Sequence, residues 1–332
     1  MKKYFITLSI VATLVVASLI LTFVVFAPGG TPLPHRGSGQ VAEERQSFGS
    51  WLLAAMTGTN RRKSLVAVMV ENQELARPHQ EGVKDALLVW EFPVEGLISR
   101  FALVFDRANL PVRIGPVRSL RPYFIDALKP LVPAVIYAGG SPEAFAKVDK
   151  GDIVAKNLLY YYSDAVRDKT IPEPHNLFVM GKNVTALLKD DTLAATVWPP
   201  YVLGTAKKVP PAAIISLNFH NPVHDVRYVY DTLSDSYARS SGDVSDQGNP
   251  RNVLVLEMPI QDIGEEGRLT INVSGKGRAY LFHAGTVQKG TWSKTGLTGR
   301  FIFQTTEGKP FLFASGQTWV TSLPGMDRVK WN

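Results

Sequence analysis

Runs of apolar residues, and the breaks between them, divide the chain into four stretches. Tyr4 to Ala27 is 24 residues without a charge, preceded by Lys2 and Lys3. At a rise of about 1.5 Å per residue, a helix of that length spans the roughly 30 Å hydrocarbon core of a bilayer. The stretch is longer than the apolar part of a cleaved signal peptide. Val25-Phe26-Ala27 imitates a cleavage site, but Pro28 follows at once and should hinder cleavage. The pattern predicts an uncleaved, single-pass anchor in the cell membrane, with Lys2 and Lys3 keeping the N-terminus in the cytoplasm and the folded body outside. Residues 1–27 are then the cytoplasmic tip and anchor. Residues 28–63, opening Pro/Gly/Ser-rich, are a tether. Phe48, Leu52 and Ala55 predict a short helix within Val41–Met56, and Arg61-Arg62-Lys63 reads as a solvated linker.

From Ser64 the pattern changes. "SLVAVMVEN" is nearly continuous apolar sequence bounded by polar residues, as in a strand buried on both faces. "DALLVWEF", "LISRFALVFD" and "AVIYAGG" are three further strands, and helices fit Pro122–Leu128, Pro142–Val148 and Gly181–Leu188. After "GTAKKVPPAA" short alternating or β-branched runs, such as "VRYVYD", "NVLVLEM" and "GRAYLFHAG", are punctuated by Gly, Asp, Asn and Ser, the mark of antiparallel β structure. The fold class read here is α+β: an N-terminal membrane-spanning helix, a mixed α/β domain over 64–205, and a mostly antiparallel β domain over 206–332. A length of 332 residues allows each domain its own core.

Composition narrows the chemistry. There is no cysteine, which excludes a disulfide framework, a cysteine nucleophile and a lipid-modified N-terminal cysteine. The net charge is +7, but the cations are scattered and form no basic arm, so nucleic acid is not an expected partner. No metal-ligand motif occurs: His220 and His224 are four apart, but Asn221-Pro222 breaks any helix between them. No cofactor is expected.

Several strings together resemble the YerB-like family: "AVMVENQELARPHQEGVKDALLVWEFPVEGLISRFALVF", "IGPVRSLRPYF", "YAGGSPEA", "PHNLF", "GTWSK" and "GQTWV", in one order from Ser64 to Pro324. These are bacterial proteins classed as lipoproteins, with an N-terminal and a C-terminal domain of unknown function. The resemblance implies an extracytoplasmic, membrane-attached protein and no particular reaction. This chain departs from the family in lacking a lipobox cysteine, so the apolar span must serve as anchor. It also reads "SGDVSDQGNP" where many relatives carry a histidine.

Within "IGPVRSLRPYF", Arg118 and Arg121 stand just ahead of Pro122, which is suited to the first position of a helix. A helix start repels cations, so two arginines there call for an anion. Either each pairs with a buried acid such as Glu91 or Glu95, or, with Arg113, they form a patch for a phosphate or carboxylate ligand. Arg100 belongs to the same group of charges. In "AGGSPEAF", Gly139 and Gly140 let backbone approach a ligand, and Ser141 reads as an N-cap rather than a nucleophile, because Glu143 stands where a nucleophile elbow needs glycine. Glu91 and Glu95 are the carboxylates available for acid–base work on a glycan, although a buried Glu91–arginine pair is the simpler reading. The resemblance adds His175 and Asn176 in "PHNL" to the ligand-binding set and His175 to the weak catalytic candidates. Trp292 and Trp319 are either core or sugar-stacking residues. The expected function is a binding or accessory module for an anionic or glycan envelope component such as peptidoglycan. The alternatives are a glycan-acting cell-wall enzyme using Glu91 or Glu95, and a scaffold for another envelope protein.

Overall fold

The computed structural model describes residues 61–207, 209–245, 248–264 and 267–332. The expected anchor at Tyr4–Ala27, most of the tether and the helix expected within Val41–Met56 lie outside the described residues. Among the described residues no helix is long and apolar enough to cross a membrane. Arg61–Lys63 is solvent-exposed as expected, with Lys63 partly covered, but it is a strand paired antiparallel with Thr196–Trp198 rather than a linker. Backbone pairing decides its conformation, which its charged side chains do not reveal.

In the first half, strands β1 (Leu65–Glu71), β2 (Leu88–Pro93), β3 (Ser99–Asp106), β4 (Ala134–Tyr137) and β5 (Val154–Asn157) accompany helices α1 (Pro122–Leu128), α2 (Pro142–Asp149) and α3 (Gly181–Leu187). Every residue of β1 is buried. Its side chains alternate: Leu65, Ala67 and Met69 enter one core with residues of α1 and α2, whereas Val66, Val68 and Val70 enter a second core with Val184 of α3. A strand covered on both faces needs apolar residues at successive positions, which is why this one reads as an unbroken run.

The second half contributes β6 (Ile214–Leu217), β7 (Val226–Asp231), β8 (Ser236–Ser241), β9 (Val244–Ser245), β10 (Asn252–Glu257), β11 (Gly275–His283), β12 (Thr286–Lys294), β13 (Ile302–Thr305), β14 (Thr318–Leu323) and β15 (Val329–Trp331). Of the two largest sheets, one has the order β9-β8-β7-β6-β15. The other has ten strands in the order β13-β12-β11-β10-β14-β2-β3-β1-β4-β5 and runs through both halves. The joint is the parallel pair β14–β2, with Thr318 opposite Leu88 and Thr321 opposite Glu91. The described residues fall in one compact unit, mostly β, and the core that contains Leu65 also contains Leu254, Trp292 and Val320. Trp292 and Trp319 are fully buried, so neither is a sugar-stacking surface.

Two buried arginines pin the halves together. Arg239 on β8 donates to Glu91 Oε1 at 2.8 Å, and both side chains have no exposed surface. Arg77 donates to the carbonyls of Val223 and Ser241, and its Nη2 lies 2.7 Å from His224 Nδ1. Arginine only donates, so Nδ1 accepts and the imidazole is neutral. Burial, with Arg77 and Arg239 adding to it, pulls the His224 pKa down from 6.5 to about 4. The unfolded chain then binds more protons than the folded one between those values, so stability falls as pH drops from about 6.5 towards about 4 and this contribution levels off below. Thermal unfolding of the wild type and of His224→Asn should diverge across this window, with the wild type losing more. A difference that stays constant with pH would show that His224 is not the titrating group.

Candidate functional site

Strands β1 and β2 both run antiparallel to β3, and β4 and β5 run parallel to β1. The carboxyl ends of β1, β2, β4 and β5 therefore share one edge, where open sheets with parallel strands commonly bind ligands. Here that edge is threaded by the "IGPVRSLRPYF" string. Val117 pairs with Val70 and Leu120 with Gly140. The Arg118 N–H donates to the Met69 carbonyl, and the Ala138 N–H to the Arg118 carbonyl, both at 3.0 Å. Extended backbone with proline on either side suits this role, since the segment must pair on both sides without becoming helix.

The threading gathers three guanidinium groups. Arg118 Nη2 donates to Glu71 Oε1 at 2.6 Å, and His175 Nδ1 lies 3.0 Å from Glu71 Oε2. A carboxylate that holds arginine only accepts, so Nδ1 carries the proton. Arg121 Nε donates to Glu95 Oε1 at 2.5 Å. Arg121 occupies the N-cap position of α1, but its side chain does not cap the helix. Each of these arginines thus has an acid, though for Arg118 it is Glu71 and not Glu91 or Glu95.

Arg100 differs. It stands directly opposite Glu71 in the β1–β3 register, yet Glu71 is engaged by Arg118 and His175. Arg100 donates through Nη1 to the Ser119 carbonyl at 3.0 Å and makes no ion pair among the described residues. It is 9% exposed. Burial, followed by the neighbouring charge of Arg121, pulls its pKa down to about 10, with Arg118 acting the same way and Tyr123 and Glu95 opposing. The cluster holds three guanidinium groups and two carboxylates, and Arg100 is the excess cation.

Other expected members fall differently. Arg113 is engaged elsewhere, by Glu81 and by Asp168 at 2.8 Å. Gly139 does adopt a left-handed φ of 73°, but its N–H is already taken by Asn157 Oδ1 at 3.0 Å. Gly140 stands opposite Leu120 in a parallel bridge whose hydrogen bonds run from the Leu120 N–H to the Gly139 carbonyl and from the Ser141 N–H to the Leu120 carbonyl, and the Ser141 side chain accepts from the Ala144 N–H as an N-cap. Asn176 is buried and holds Arg167 at 2.9 Å. Glu91, fully enclosed by Arg239, Ser99 and Thr321, offers no surface to a substrate. For Glu95, burial raises the pKa, but the hydrogen bond and charge of Arg121 outweigh it and leave the group below its usual value. That is the wrong direction for a general acid at neutral pH. Glu71 and Ser119 are the residues that reading the string alone misses; the acid closing the fully apolar run of β1 was the available signal.

A concavity of about 570 Å³ lies elsewhere, over β6, β7 and β15. Its three acids (Asp225, Asp243, Asp327) balance three permanent cations (Arg227, Arg328, Lys330), so no excess charge selects an ion there.

Fold and site together define a two-part protein whose halves share one sheet and whose charged cluster lies at that sheet's carboxyl edge. The chain belongs to the family described as protein of unknown function (DUF3048): the N-terminal domain model matches residues 53–194 and the C-terminal domain model residues 215–320. It is 28% identical over 300 residues to "Putative lipoprotein YerB" of Bacillus subtilis (strain 168), covering 83% of this chain and 87% of the relative. The crystal structure of the YerB protein from Bacillus subtilis superposes with a TM-score of 0.74 at 26% identity, over 82% of this chain and 94% of that one. The family resemblance carried by the sequence strings is thereby established.

Glu71 holds two partners from two distant segments, so its removal should be felt as structure. Glu71→Gln is expected to lower stability by about 1–3 kcal/mol, the scale of a lost charged hydrogen bond. Denaturant unfolding of the variant with an unchanged midpoint would show that Arg118 and His175 do not depend on it.

Proposed function

We propose that this chain is a binding or accessory module of the bacterial cell envelope. The span Tyr4–Ala27 holds it in the cell membrane with the N-terminus in the cytoplasm and the body outside, and the crevice receives an anionic group of an envelope component. Membership of a family with a relative named as a lipoprotein supports the attachment, as does the uncharged 24-residue stretch behind Lys2 and Lys3. Arg100 carries the binding part of this reading. Folding withdraws a permanent cation from water and offers it one carbonyl, where its neighbours each receive a carboxylate. A guanidinium in that position is completed by a carboxylate or phosphate that can take its planar fork.

Inorganic phosphate and lactate, titrated against the full chain in phosphatidylcholine nanodiscs, are expected to bind. Arg100→Lys, which keeps the charge and loses the fork, should weaken them about tenfold. Equal affinity in the variant would remove the crevice from this reading. Mass spectrometry of membrane-extracted chain should find the residues before Pro28 retained, and a mature chain starting at or beyond Pro28 would remove the anchor.

A further inference from the structure

The turn after β5 reads Leu158-Leu159-Tyr160-Tyr161-Tyr162. Tyr160 and Tyr162 are 75% and 80% exposed, and Tyr161 is 38% exposed. None of the three hydroxyls makes a hydrogen bond among the described residues. Single exposed apolar residues are ordinary, but three successive aromatic rings in water mark a contact surface.

These rings are positioned. Asn157 Oδ1 accepts from the Leu159 N–H at 3.2 Å, the Tyr161 N–H donates to the Leu158 carbonyl at 3.2 Å, and the Tyr161 carbonyl accepts from Asp164 at 3.0 Å. The turn that carries them also adjoins the charged cluster. The Asn157 oxygen that opens the turn is the one that holds Gly139, and Gly139 lies between Leu159 and Ser119: a Cβ there would meet Leu159 Cδ1 at 3.6 Å and Ser119 Oγ at 3.4 Å. Ser119 in turn supplies the carbonyl that holds Arg100.

We propose that the site takes an anionic sugar, whose carboxylate or phosphate meets Arg100 while its ring lies against Tyr160 or Tyr162. This rests on the anion-binding reading of the crevice and names the ligand class. The C–H face of a pyranose is apolar and slightly positive, which matches the negative face of an aromatic ring, while the phenol hydroxyls are free to bond sugar hydroxyls. Rings with free hydroxyls on a turn that adjoins the segment holding Arg100 suit a polyhydroxylated anion better than an aliphatic partner.

The test uses the full chain in phosphatidylcholine nanodiscs, which avoids sugar-headed detergents. The probes are N-acetylmuramic acid, N-acetylglucosamine 1-phosphate, neutral N-acetylglucosamine, lactate and inorganic phosphate. At least one of the two sugar anions should bind about tenfold more tightly than both the neutral sugar and its own ring-less anion. Which of them binds better separates a carboxylate-bearing from a phosphate-bearing source. The double variant Tyr160→Ala/Tyr162→Ala should erase this advantage, with the melting temperature and the affinity for lactate and phosphate unchanged. If Arg100→Lys weakens every anion but the tyrosine variant binds like the wild type, or ring-less anions bind as tightly as sugar anions, the sugar proposal is overturned and the anion reading stands. If no anion binds, both fall.

Discussion

Glu91 and Arg239 are 148 residues apart in sequence and meet in a place that water does not reach. Two charges taken out of water repay their desolvation only when the remaining donors and acceptors are also engaged. Here the engagement is extensive. Glu91 also accepts from Ser99 at 2.7 Å and Thr321 at 3.0 Å, while Arg239 donates to Tyr228 and Ser241 and lies 4.4 Å from the Trp319 ring centre. Removing either charge alone would strand the other, at a cost of about 3–5 kcal/mol. A network of this kind tolerates few alternative registers, because a slip of one residue turns every side chain to the opposite face.

That constraint reaches the crevice. Ser99 receives a hydrogen bond from Asn72, and Asn72 Oδ1 receives one from Gln80. Ser99 and Asn72 are the sequence neighbours of Arg100 and Glu71. Fixing the first pair inside the network fixes the second pair, one residue away on the strands, at the edge. The second half also reaches this edge directly, through Arg268, which donates to Glu143 of α2 at 3.1 Å. The site's geometry therefore depends on both halves, although the crevice cluster itself belongs to the first.

Local pattern carried the individual elements. The strands at Leu65, Leu88, Ser99 and Ala134 and the helices opened by Pro122, Pro142 and Gly181 are visible because periodicity, proline and small caps are properties of neighbouring residues. Pairing between distant segments leaves no such trace. Nothing in "DALLVWEF" says that its partner is "QTWVTSL", some 230 residues on, so the shared sheet was not legible. The same limit applies to the charges. That Glu91 needs an arginine follows from its apolar surroundings, but that the arginine is Arg239 depends on how β8 packs across the sheet. The tyrosine turn was legible as composition, and only the fold brings it beside Ser119.

Two cations at the start of α1 are unfavourable as local sequence and acceptable as tertiary structure. The helix is seven residues long, and its start is answered through Arg121, whose guanidinium holds Glu95 close by. Arg118 spends its charge on the opposite wall, at Glu71. Both arginines named by the string are thus internally neutralised and serve to tie the threaded segment to β1 and to the turn after β2. What they leave behind is positional. With Glu71 committed to Arg118 and Glu95 to Arg121, Arg100 makes no ion pair among the described residues, and its pKa is pulled down first by burial and then by the charges of Arg121 and Arg118, with Tyr123 and Glu95 opposing. The excess charge in the crevice therefore follows from how the carboxylates are shared. It sits on a residue fixed by the buried network, so an anion entering there would meet a guanidinium that is already oriented.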